Sequence, residues 1–426
     1  MNKPTSVSSK KLSLWSRLGP GLITGAADDD PSGIATYSQV GARFGYDILW
    51  TALFTFPLMV GIQTVSARIG RVTGHGLAAN IRRHYPPWLL YGIVTLLLIA
   101  NTINIAADIG AMGAALKLLI GGPAQWYAIA FGLVSLLLQI FLPFPRYAPL
   151  LKTMTLALLA YAATILVVKV PWHEVLYRTL IPTFSFKYDY LIGVVAVFGT
   201  TISPYLFFWQ ASKEVEDQRA ADGEDPLMMA PEQALGQLQR IKIDTFVGMG
   251  FSNLIAFFIM LTAAVTLYTH GQTDIQTSAQ AALALRPLAG DFAFLLFSAG
   301  IVGTGLLAVP ILAGSAAYAV AEAFEWRIGL GLDLLQATGF YAIVSIATLL
   351  GVALNFTSID PIKALFWSAV INGVISVPIM VVMMLMAERV DIMGPFAIIK
   401  NTKILGWLAT ASMSVAVLCM FVSWSV

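Results

Sequence analysis

Three consecutive aspartates and a proline, Asp28-Asp29-Asp30-Pro31, stand in the middle of an apolar stretch that opens with Gly19-Pro20-Gly21 and runs to Gly41. A carboxylate at bilayer depth is costly and usually marks an ion or substrate path. Pro31 has no amide hydrogen and clashes with a preceding helical turn, yet it suits the first position of a new helix. The sequence therefore predicts a discontinuous helix, one half ending near Asp28–Asp30 and the next starting at Pro31. Such a break frees carbonyls and presents the negative end of a helix dipole, both suited to a cation. Asp30 adds a formal negative charge as the principal ligand, direct or through water. A helix–loop boundary at the membrane surface is the competing explanation. The triplet lies about ten residues from Pro20 and from Gly41, too deep for that if the segment spans. Three adjacent side chains cannot all face one ion on a regular helix, so Asp28 and Asp29 either line the aqueous approach or cap backbone amides.

A second break is predicted in Val197-Phe198-Gly199-Thr200-Thr201-Ile202-Ser203-Pro204-Tyr205. Pro204 leaves the Thr200 carbonyl without its helical donor and disfavours helical geometry at Ser203. Unwinding there offers the hydroxyls of Thr200, Thr201 and Ser203, and the carbonyls of Thr201 and Ile202, as oxygen ligands. The alternative is an ordinary proline kink with each hydroxyl bonded one turn back. Tyr205 fits the ordering of water or the closing of one side of a pathway better than proton donation, since a phenol titrates near 10. Asn101, Asn104 and Asp108 recur at three- and four-residue spacing and share one helix face. That stripe faces either a vestibule with its water or a buried hydrogen-bond network between helices. Asn372 poses the same choice in another apolar run.

Positioning these groups requires a membrane-spanning scaffold, and the composition supplies one. Of 426 residues, 58% are hydrophobic and 11% charged, with mean hydropathy +0.78. Soluble domains carry roughly 25% charged residues, so no water-facing surface can be built here. The expected fold is an all-α polytopic membrane protein with eleven transmembrane helices. They fall near residues 18–41, 46–67, 87–115, 123–143, 149–169, 189–211, 241–267, 290–322, 337–355, 362–387 and 404–424. With the N-terminus inside, eighteen of the 25 basic residues lie on the cytoplasmic side and seven outside. That bias puts the N-terminus in the cytoplasm and the C-terminus outside. The segment 212–240 is the one long polar insertion, a cytoplasmic loop with room for a short amphipathic helix, and Pro310 leaves open a further break within 290–322. Breaks in the first and sixth spans, five spans apart, are what two five-helix repeats of opposite topology produce. The plan is then a cytoplasmic segment 1–17, a first repeat 18–169, a second repeat 189–387 and an additional helix 404–424. Glycines such as Gly300, Gly303 and Gly305 fit close helix packing. The lone Cys419 excludes an internal disulfide and a cysteine metal cluster. The polar N-terminus lacks the features of a signal peptide. With no nucleotide, zinc-protease or nucleophile motif, neither an enzyme nor a cofactor is expected. A cation and membrane lipid are the expected partners, without nucleic acid or an obligatory protein partner.

At the two proline segments the sequence resembles the NRAMP family of divalent-metal transporters, across nearly the whole chain in span number and order, Gly19-Pro20-Gly21 included. Family members usually carry Asp-Pro-Gly-Asn at the first break and Met-Pro-His in the sixth helix; here the strings are Asp30-Pro31-Ser32-Gly33 and Ser203-Pro204-Tyr205. The aspartate and both prolines carry over, while Gly33, Ser203 and Tyr205 take the asparagine, methionine and histidine positions. The family's third-helix acids align with Ala107 and Gly110, so Asp108 is not a clean match. The resemblance implies a LeuT-like 5+5 inverted repeat with discontinuous helices 1 and 6 and one additional C-terminal helix. With the residue chemistry above, the metal set is Asp30, Gly33, Thr200, Thr201, Ile202 and Ser203. Asp28, Asp29, Asn101, Asn104, Asp108, Tyr205 and Asn372 are pathway or water-holding residues, and Pro31 and Pro204 make the breaks. A thioether suits transition metals, whereas carboxylate, carbonyl and water suit magnesium, calcium or manganese. Ser203 and Gly33 remove two direct ligands and enlarge the space around Asp30, which fits a partly hydrated ion, and magnesium dehydrates reluctantly. The sequence is similar to the prokaryotic NRAMP-related magnesium-transporter branch. The resemblance thus implies secondary transport of hydrated Mg2+, with Mn2+ as a second substrate, across the prokaryotic cytoplasmic membrane. Tyr205 at the histidine position, with His75, His84, His173 and His270 outside the central frames, favours uptake without proton coupling. A broad-range proton-coupled transition-metal importer and a membrane cation channel are the alternatives.

Overall fold

The computed structural model describes residues 20–142, 144–221, 223–357 and 360–424; the segment 1–17 and Gly19 lie outside the described residues. Regular structure among the described residues is helical throughout. The chain begins with α1 (Pro20–Asp28), α2 (Pro31–Phe44), α3 (Trp50–Thr73), α4 (Leu77–His84), α5 (Pro87–Ile120) and α6 (Ala124–Phe141). It continues with α7 (Phe144–Thr155), α8 (Leu159–Val167), α9 (Trp172–Leu180), α10 (Tyr188–Thr201), α11 (Pro204–Ala220) and α12 (Ala234–Thr266). Two short helices, α13 (Ser278–Ala282) and α14 (Arg286–Ala289), precede α15 (Ala293–Ala323), α16 (Thr338–Leu354) and α17 (Pro361–Glu388). The last helices are α18 (Val390–Met393) and α19 (Lys400–Trp424).

Among the described residues, eight helical runs are long and apolar enough to cross a bilayer: α3, α5, α6, α10 with α11, α12, α15, α17 and α19. The other three expected spans fall on pieces that are interrupted or shorter. These are α1 with α2, α7 with α8, and the 17-residue α16. Length and composition among the described residues therefore identify eight of the eleven expected spans.

Two expectations about breaks and loops are corrected. Helix α15 runs unbroken through Pro310, because spanning helices tolerate a lost backbone bond where neighbours enclose it, and residues 307–319 are buried. The polar insertion is also shorter than 212–240, since α11 extends to Ala220 and α12 starts at Ala234. The charges there are held in place: Lys213 pairs with Asp217 at 2.9 Å, and buried Glu214 pairs with Arg240. The remaining loop is laid along the end of α3, where the amides of Leu227 and Met228 donate to the carbonyls of Arg71 and Val72.

The broken helices lie inside the bundle, with α1 against α12, α2 against α12 and α17, and α10 against α17. Glycine makes two of these approaches possible. A Cβ on Gly25 would collide with the Gly248 backbone of α12, and one on Gly199 would collide with Ala369 and Gly373 of α17. On the outside, Leu133, Leu137, Val415 and Leu418 of α6 and α19 are exposed, as befits side chains that face lipid. Gly25→Val should lower the unfolding temperature of detergent-purified protein, equivalent to about 1–3 kcal/mol of overpacking. Gly92→Val, where nothing lies within 4 Å of the added Cβ, should leave it nearly unchanged.

Candidate metal site

Local chemistry makes both interruptions. Helix α1 ends at Asp28, and Asp30 adopts φ −69° and ψ 172°, an extended conformation outside the helix. Its Oδ1 accepts the Gly33 amide at 2.7 Å and so caps α2, meeting one of the unpaired amides that every helix N-terminus presents. In the second interruption α10 ends at Thr201, Ile202 and Ser203 are non-helical, and Pro204 opens α11. Ser203 Oγ lies 2.9 Å from the Thr200 carbonyl and 2.7 Å from that of Gly199. The hydroxyl thus offers one hydrogen shared between the Gly199 carbonyl and the Thr200 carbonyl, whose usual donor Pro204 removes.

Asp30 is the meeting point of four elements. Its Oδ2 accepts Asn104 Nδ2 of α5 at 3.3 Å and the Tyr205 hydroxyl of α11 at 3.4 Å. The same phenol reaches the Ala27 carbonyl at the end of α1, 3.0 Å away. Asn104 Oδ1 accepts Ser368 Oγ of α17 at 2.8 Å, and Ser368 lies 3.1 Å from Ser32 Oγ. One turn beyond Asn104, Asp108 faces Asp30 and the backbone of Ser32, and no side chain among the described residues donates a hydrogen bond to its carboxylate.

The remaining expected residues divide sharply. Asp28 and Asp29 turn toward α12, where Ser252 Oγ lies 2.5 Å from Asp28 Oδ2 and 3.2 Å from Asp29 Oδ1. Thr201 Oγ1 bonds back to the Val197 carbonyl at 2.8 Å, and the Ile202 carbonyl accepts Ser376 Oγ of α17 at 2.8 Å. Asn101 does not join Asn104 at the break; its amide donates to the Leu312 carbonyl and Ser315 Oγ, tying α5 to α15. Asn372 is buried on α17 next to Gly373. The room expected beside Gly33 is taken: an added Cβ would lie 3.2 Å from the Asp28 carbonyl and 3.3 Å from both Thr200 Oγ1 and the Tyr37 ring. Ser32, Tyr37, Ser252, Ser368 and Ser376 were not anticipated. Their signal was periodicity, since Ser368-Asn372-Ser376 and Asp244-Gly248-Ser252 each recur every four residues and so mark one helix face.

Asp28, Asp29, Asp30 and Asp108 are each 2% exposed or less, so the centre is closed to both sides. None of the ion pairs among the described residues involves any of the four. Nor do three acidic, imidazole or thiol groups converge on one point among those residues. An ion here would be held by one or two carboxylates, helix-end carbonyls, hydroxyls and water.

Discontinuous helices meeting at buried carboxylates, within a bundle of membrane-length helices, define a class, the polytopic transporters with a broken-helix site near the midplane. The sequence profile of the natural resistance-associated macrophage protein-like (Nramp) family matches residues 21–423. This chain belongs to that family. It is 26% identical over 394 residues to the divalent metal cation transporter MntH of Acidiphilium cryptum, covering 89% of this chain and 84% of the relative. It is 25% identical over 427 residues to MntH of Clostridium acetobutylicum, covering 96% and 91%. In fold it is similar to the Eremococcus coleocola manganese transporter, with TM-score 0.73, 18% identity and coverage of 99% of this chain and 88% of that one. The nucleobase-cation-symport-1 family transporter Mhp1 is more distant, with TM-score 0.58, 11% identity and coverage of 96% and 92%.

Asn104→Ala would leave one oxygen of Asp30 and the Ser368 hydroxyl each short of a buried partner. The expected loss is about 1–3 kcal/mol of stability, measured by thermal unfolding in detergent.

Proposed function

We propose that this chain imports hydrated Mg2+, with Mn2+ as a second substrate, across a prokaryotic cytoplasmic membrane. The N-terminus lies in the cytoplasm, eleven spans form a 5+5 inverted repeat plus one helix, and the C-terminus lies outside. The observation that carries the reading is the set of four buried carboxylates with no basic partner among the described residues. Three stand at the first helix break and Asp108 faces it from α5, with carbonyl, hydroxyl and carboxyl oxygens around them. Buried carboxylates without basic partners are neutralised either by protons or by a cation, and a cation delivered to such a site is held by them. Oxygen donors without imidazole or thioether suit hard divalent ions, and magnesium keeps several waters when it binds. Asp30 is the charged ligand, Asp108 a second carboxylate acting directly or through water, and Thr200 and the carbonyls at the α10 end complete the shell. Tyr205 closes the side toward α11. The manganese arm is favoured by the relatives, which are named for divalent metal cations and manganese. Inward transfer of a dication gains roughly 4.6 kcal/mol per 100 mV of inside-negative potential, sufficient to drive uptake without a second ion. His75 precedes α4 and His84 ends it, His173 lies in α9 and His270 follows α12, so no imidazole stands near Asp30 to carry a proton.

Proteoliposomes holding the purified chain should take up Mg2+ and, in competition, Mn2+, and Asp30→Ala should reduce the flux by about tenfold or more. Uptake confined to softer transition metals by folded protein would overturn the magnesium assignment. A pH dye sealed inside the same vesicles should stay flat during potential-driven Mg2+ entry. Acidification in fixed proportion to the metal would show coupling instead.

A further inference from the structure

Away from the aspartates, a cavity of about 330 Å³ opens between the α3–α4 turn, α4, the end of α11 and the chain leaving α15. These places lie on the side that the basic-residue bias assigns to the cytoplasm. Arg83, Arg219 and Arg327 line it, three guanidiniums drawn from distant points of the sequence. None of the three takes part in an ion pair among the described residues. Arg219 donates to the Gly74 carbonyl at 3.3 Å, which orients it without neutralising it.

The two carboxylates in the wall leave the guanidiniums in excess, since only Glu322 lies within reach of the Arg219 charge. Glu325 pairs with Arg82. Glu322 is buried and turned inward, accepting Ser212 Oγ at 2.7 Å and the Ala79 amide of α4 at 3.1 Å. Half-buried His75 reports on the surplus. Burial first, then the charges of Arg83 and Arg219, push its imidazole down to about 4, so both guanidiniums act on the same spot. The wall is also strained: Glu325 has φ 56°, the only positive φ outside glycine among the described residues, a conformation that costs energy and gathers at ligand sites.

Like charges brought together in a partly enclosed space repel unless an anion joins them. Guanidinium forks match phosphate oxygens in geometry as well as charge, and pockets of roughly 300–1,000 Å³ suit small ligands. The geometry points to a binding site for a phosphate-bearing anion in this cavity, held by Arg83, Arg219 and Arg327 with the His75 ring beside them. The phosphate belongs either to an anionic lipid headgroup, as basic pockets at a cytoplasmic membrane surface bind, or to a soluble phosphate compound. The site lies apart from Asp30, and its test does not depend on which ion the protein carries.

Purified protein in a neutral detergent, free of divalent metal, is titrated separately with inorganic phosphate, ATP and short-chain phosphatidylglycerol, while heat of binding and unfolding temperature are read. At least one probe should bind with Kd below about 1 mM and raise the unfolding temperature. Arg83→Gln with Arg327→Gln should weaken that probe by about tenfold or more. Binding of phosphatidylglycerol alone assigns a lipid headgroup, and binding of ATP or phosphate assigns a soluble ligand. If the double variant does not elute as a single folded species, each single variant must weaken binding on its own. No binding by wild type, or equal binding by folded variants, overturns the proposal.

Discussion

The carboxylate of Asp30 capping the first turn of α2 is the contact from which the centre is built. It converts a chain interruption, forced by Pro31, into a defined helix start. One oxygen is committed to the Gly33 amide, which leaves the other to gather Asn104 and Tyr205. Through those two side chains α5 and α11 are fixed against the break, and through Ser368 so is α17. The charge is placed at the positive end of α2, where a helix dipole stabilises it, and beside Asp108, where repulsion does the opposite. A proton or a cation between the two carboxyls relieves that repulsion.

The two breaks are managed differently. At the first, a carboxyl side chain supplies the missing hydrogen-bond acceptor for an amide. At the second, a neutral hydroxyl supplies the missing donor for a carbonyl, since Ser203 sits where the Pro204 amide would have bonded. One break therefore carries charge, while the other is repaired from within and offers only dipoles. That division places the electrostatic weight of the site on α1 and α2, with α10 and α11 contributing shape and oxygen.

Features fixed by a few neighbouring residues were legible in the sequence. Pro31 and Pro204 interrupt helices wherever they stand in a long apolar run, and a triplet of aspartates there announces a polar centre. Features fixed by tertiary surroundings were not. Pro310 has the same chemistry as Pro204, yet α15 passes through it because the helix is enclosed by neighbours on every side. Gly33 reads as a vacancy until Tyr37 and Thr200 are seen to fill it. Asn101 shares a face with Asn104, but the helix it meets is α15, which no spacing rule states. Lys213 and Glu214 read as loop residues because their partners, Asp217 and Arg240, were not known to be in reach. The serines of α17 were visible by period and overlooked, since hydroxyls are common in membrane helices and bond to their own backbone.

The meeting of Gly25 with Gly248 bears on how a closed centre opens. Interlocked side chains must be unpacked before two helices part, and each large one exposed to water or lipid surrenders its contacts. Two glycines touching backbone to backbone have nothing to unlock and little apolar area to uncover. The short helix α1, joined to α2 through the kink at Asp29 and Asp30, thus meets α12 along a smooth seam latched by hydrogen bonds, from Ser252 to Asp28 and Asp29 and from the Gly21 amide to Asp244, so that polar contacts rather than interlocked side chains hold this door shut.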